Sequence, residues 1–125
     1  MNKELIHNFW LQKQDKSLHE QWMNKQFIQD TLTQIQVDFA KFNLIIEIND
    51  DLTVEKLETE VQGQLQLLNS QTPEKIPQLI YTIDLPEVIF SQILAHADNI
   101  ELELAKCIIV REAMKVYLRS KFSKA

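Results

Sequence analysis

Arg111, Lys115 and Arg119 stand four residues apart, so on a helix they line three cations along one face. Such a stripe suits a phosphate or carboxylate ligand, and Arg111, joined by Lys115 and Tyr117, is the site it would use. Four apolar residues, Cys107 to Val110, lead directly into Arg111 and Glu112. A guanidinium buried there needs a carboxylate partner, because an unpaired buried charge is prohibitively costly. Glu112 relieves Lys115 at i+3 but lies on the wrong side of the helix for Arg111. The acidic segment 38–60, or Asp84 and Glu87, is expected to supply the partner. An internal ion pair that orients the helix is preferred here over an anion site, since ion pairs of this kind are often structural.

Other chemistry-bearing residues are scattered. His7, His19 and His96 have no second His or Cys at helical ligand spacing, and His96 with Asp98 makes two ligands, too few for zinc. Asp50, Asp51, Glu55 and Glu58 lack the alternating oxygens and central Gly of a calcium loop, and favour a helix N-terminus instead. Cys107 has no neighbouring His and sits where a small buried apolar residue is expected. Ser17, Ser70, Ser91, Ser120 and Ser123 occupy no nucleophile-elbow context. Gly63 is the single glycine, which excludes a P-loop and a dinucleotide fingerprint. No metal site and no cofactor are expected, and a non-catalytic role is preferred.

The elements that must position these residues are mostly helical. Ile28, Leu32, Ile35, Phe39 and Phe42 step by four, three, four and three, the stripe of a core-facing helix, with Asn43 placed to end it. Leu57, Val61, Leu65 and Leu68 predict a helix over about 53–69, and Leu85, Ile89 and Ile93 another up to Ala97. A short helix over about 3–13 is suggested by "LIHNFW". Start signals fall at Ser17–Glu20, Thr72-Pro73-Glu74, Asp84–Glu87 and Asp98–Glu101. Residues 99–122 are apolar around most of the wheel, with only a narrow polar strip of Glu101, Glu112, Lys115 and Arg119, which predicts the central helix of the domain.

Two stretches resist a helical reading. "FNLIIEIN" alternates like a strand, and "QLIYTID" is rich in β-formers. An extended segment at 44–48 and a short helix at about 77–83 are preferred; the alternative is an α+β fold with a small hairpin of 44–48 and 79–83. A chain of 125 residues with 45% apolar and 25% charged composition fits one helical domain, 1–125, a bundle of four to five helices. One glycine and three prolines exclude turn-rich β-sandwiches and barrels. The glutamines are spread over the helical patterns and form no low-complexity tract.

The net charge of −5 is unevenly placed: seven acids crowd residues 38–60, and six bases occupy 106–124. Such polarity marks an interaction surface or two elements that pair within the fold. A helix-turn-helix built from 85–97 and 99–122 would open its second helix with Glu101 and Glu103, against DNA. Weak phosphate-backbone contact by the C-terminal bases is therefore the third functional reading, and nucleic acid is not the expected partner. The apolar stretches are too short to span a membrane. The single cysteine and the lack of a secretory pattern lead us to expect a cytoplasmic protein. Trp10, Trp22, Met23 and Phe27 gather in the first thirty residues as a candidate contact surface for a partner or a second copy. A protein–protein interaction or oligomerisation module, contacting a partner or a second copy as a homodimer, is the first functional expectation; an anion-binding or enzymatic domain at Arg111 is the second.

Overall fold

Asn24 opens the first helix by accepting hydrogen bonds from the backbone N–H groups of Gln26 and Phe27, the capping role its short amide favours. The computed structural model describes residues 20–122. Within them run α1 (Lys25–Ala40), α2 (Val54–Gln71), a 3-10 turn (Pro73–Lys75), α3 (Ile76–Ile83), α4 (Glu87–His96) and α5 (Ile100–Phe122). The fold is all-α, and the described residues contain no strand. The predicted helix at 3–13 and the first three residues of the Ser17–Glu20 capping box lie outside the described residues.

Helix α5 is the centre, as its nearly all-round apolar wheel predicts. It packs chiefly on α1 and α2, with α3 and α4 completing the enclosure. Leu104, Ala105 and the run from Cys107 to Ile109 are buried with Ile35 and Phe39 of α1, Leu57, Val61 and Leu65 of α2, Leu79 and Ile83 of α3, and Ile93 of α4 in one core. Each of the leucine, isoleucine, valine and phenylalanine side chains among them contributes roughly 1.5–3 kcal/mol by leaving water. The last turns behave differently: from Leu118 to Phe122 every residue of α5 is exposed.

The α+β alternative is overturned at 44–48. The alternation is real, with Leu44 and Ile46 buried and Ile45 outward, but the backbone bonds go to glutamines instead of a partner strand. Gln36 of α1 donates to the Ile46 carbonyl at 2.9 Å, and Gln64 of α2 accepts from the Ile45 N–H at 3.2 Å. Two side chains thus satisfy polar groups that a ladder would otherwise have to pair. Residues 76–83 are helical because Pro77 falls in the first turn of α3, where no intrahelical donor is lost.

One capping expectation is also corrected. Asp84 does not cap the start of α4, which opens at Pro86 without a side-chain cap. It ends α3 instead, in the left-handed region at φ 65°, so that the Leu85 N–H closes onto the Ile80 carbonyl. At the start of α5, Asn99 accepts from the Leu102 N–H. Asn43 does end α1 as expected, at φ 60°.

Candidate functional site

The polar side chains of α1 and α5 meet along one seam. Thr31, Gln34 and Asp38 of α1 and Lys41 at its C-cap recur every three or four residues, and Glu112, Lys115 and Arg119 do so on α5. Lys115 Nζ lies 2.8 Å from Glu112 Oε1 and donates to Asp38 Oδ2 at 3.1 Å. Gln34 donates to the same Asp38 oxygen at 3.2 Å and accepts from Arg119 Nη1 at 2.9 Å. Lys41 reaches the other Asp38 oxygen at 3.4 Å.

Glu112, expected in the polar strip of the wheel, is wholly buried, because α1 covers that strip with polar positions of its own. Its carboxyl group approaches that of Asp38, although neither Glu112 oxygen completes a well-angled hydrogen bond. Burial, then the neighbouring Asp38, push Glu112 up to about 8, against the pull of Lys115. Burial also works against an ionised Asp38, but the adjacent Glu112 carboxyl group, the Lys115 ammonium and the Gln34 amide outweigh it and hold the group below its ordinary value. Asp38 is thus held as the carboxylate of the pair and Glu112 as the acid that keeps its proton.

An acid beside a carboxylate is equipment for proton transfer, but such a pair must reach its substrate. Glu112 has no exposed surface. The open cavity that adjoins this seam, about 450 Å³, is lined by Asp30, Thr33, Val116, Arg119 and Ser120, beyond the carboxyl pair. The cluster is placed to hold two helices together.

Arg111 finds the partner foreseen for it. Its Nη2 donates to Asp84 Oδ2 and its Nε to the Asp84 carbonyl, both at 3.0 Å. The left-handed turn at Asp84 presents both oxygens to one guanidinium. The Asp84 carboxylate is mostly in water, so the ion pair itself is worth under about 1 kcal/mol. The backbone conformation matters more: Asp84→Ala is expected to lose about 1–2 kcal/mol by forcing a side chain unsuited to positive φ, whereas Asp84→Gly, which relieves that strain, loses less. Urea unfolding of the two variants checks the order.

The residues named for an anion site are thus dispersed in their engagements. Arg111 faces Asp84, Lys115 faces Asp38 and Glu112, and Tyr117 lies under the Lys121 ammonium, 5.7 Å from the ring centre. Among the aromatic contact candidates, Phe27 is buried with Ala113 and Val116, and Trp22 packs edge-on to it at 5.8 Å. Met23 stands out in solvent, and Trp10 lies outside the described residues. Cys107 is buried, and burial, helped by the Glu103 charge, pushes its thiol up to about 12, so it stays protonated. His96 closes the last turn of α4, and the described residues contain no grouping of three or more metal-ligating side chains.

A feature missed in the sequence lies between α2, α4 and α5. A cavity of about 250 Å³ there is lined by Leu65, Asn69, Pro73, Ile76, Phe90, Leu94, Ile100 and Leu104, with Glu101 its one charged lining residue. Phe90 and Leu94 are one turn apart on α4, beside the Ile89–Ile93 stripe that faces the core. This second apolar row was the available signal, and it points to a helix with more apolar width than one core contact needs.

In comparisons with protein-family models, curated proteins and solved structures, nothing matches this chain.

Proposed function

We propose that this protein is a non-catalytic, cytoplasmic interaction module that associates with copies of itself. One observation carries the reading: the apolar cavity between α2, α4 and α5 is open, and Leu94 on its edge is 52% exposed. Its volume is below the roughly 300–1,000 Å³ of small-molecule clefts, so it suits apolar side chains better than a cofactor. The contact surface is assigned to this region in preference to the Trp22–Phe27 arm, whose rings pack on α5. The polar seam supports the non-catalytic part of the reading, since its acid is sealed between helices. Light scattering over a wide concentration range tests the proposal. Species heavier than the 14.7 kDa chain that grow with concentration are expected; a constant 14.7 kDa overturns self-association.

A further inference from the structure

The chain carries both the groove and a segment whose chemistry matches it. At the far end of α5, Leu118 and Phe122 lie one turn apart and are 39% and 76% exposed. Arg119 and Lys121 stand beside them, whereas the groove has Glu101 among its lining residues. An apolar pair on a helix, flanked by cations, against an apolar groove whose lining includes a carboxylate is complementary in both respects.

The two surfaces cannot meet within one copy. Ile100 and Leu104 of the groove belong to the start of α5, and Leu118 and Phe122 to its end, roughly 20–30 Å along the same helix. The occupant must come from a second molecule, and the contact joins unlike patches, the end of one copy to the groove of the next.

Resting on the self-association reading, we propose that the exposed end of α5, through Leu118 and Phe122 with Arg119 and Lys121, docks in the α2–α4–α5 groove of a second copy. Residues at the start and end of one helix then become the two halves of a single interface. Assembly is head-to-tail, and each open assembly retains one unused groove at one end and one unused helix end at the other until the chain of copies closes or is capped.

Paired variants test this arrangement. Phe122→Asp spoils the helix end and leaves the groove intact; Leu94→Lys spoils the groove and leaves the end intact. Both side chains are mostly in solvent, so the helical circular dichroism of each variant is expected to match the wild type. Each variant alone is expected to be monomeric at concentrations where the wild type associates, and an equimolar mixture to recover a complex of two chains. If the wild type associates but both variants do so equally well, or if the mixture stays monomeric, the docking mode is overturned and self-association stands on another surface. If the wild type stays at 14.7 kDa throughout, the docking mode and the self-association reading fall together. Phe122→Gln and Leu94→Gln repeat the measurement without added charge; association unchanged in both also overturns the docking mode.

Discussion

Replacing Glu112 by Gln is expected to raise the unfolding free energy by about 3 kcal/mol at pH 7. The wild-type acid is buried and holds its proton up to about pH 8, whereas in the unfolded chain it releases it near its ordinary value of 4.5. Between those limits the folded state binds more protons than the unfolded state, so stability falls as pH rises through the window and the loss is complete above about pH 8. Glutamine has no proton to lose. Its carbonyl can accept from Lys115, and its amide can donate toward Asp38, the two groups that face Glu112. The gap between variant and wild type should therefore be small at pH 4 and widest at pH 9. Urea denaturation of both proteins across that range measures it, with the other titrating groups common to the pair. A gap that does not change with pH would show that Glu112 is not the group holding the proton.

Lys115→Met has the largest expected loss. It withdraws an ammonium that touches both carboxyl groups and leaves Asp38 buried with Gln34 and the more distant Lys41. Breaking a buried pair in this way costs about 3 kcal/mol, because the remaining charge has lost its compensation. Methionine keeps much of the apolar stem, so the effect reports charge more than volume. Adding Asp38→Asn to Lys115→Met removes the stranded charge and is expected to recover most of the loss. A double-mutant cycle measures the coupling; additive losses would mean that the two groups act independently. In the Asp38→Asn single variant, Glu112 is freed of its acidic neighbour and its ionisation should move to lower pH beside Lys115.

The seam also shows why the sequence could be read part of the way. The i+3 pairing of Glu112 with Lys115 and an acidic partner for Arg111 were visible, because helical spacing fixes the first and the cost of a buried cation demands the second. The burial of Glu112 was not, because a wheel orders residues around one axis and does not say what lies opposite. Thr31, Gln34, Asp38 and Lys41 made a polar row on α1 and its C-cap, yet nothing local indicates that this row would face the polar row of α5.

Asp84 teaches the same lesson about caps. An Asp before Leu-Pro-Glu fits a helix start, but Asp also tolerates the left-handed turn that ends the preceding helix, and the second use prevailed. At 44–48, alternation correctly separated buried Leu44 and Ile46 from exposed Ile45. It left open where the backbone bonds would go, and Gln36 and Gln64, distant along the chain, answered them.

The order of helices from α1 to α5, the central place of α5 and the apolar stripes that face it were determined by the sequence alone, since periodicity, Pro and Asn positions act within a few residues. The sealed carboxyl pair, the glutamine clamps on 44–48 and the open groove beside Leu94 were decided only in the tertiary structure. Each depends on which face of one helix meets which face of another, a relation between side chains that are far apart in the chain and become neighbours only when the helices pack.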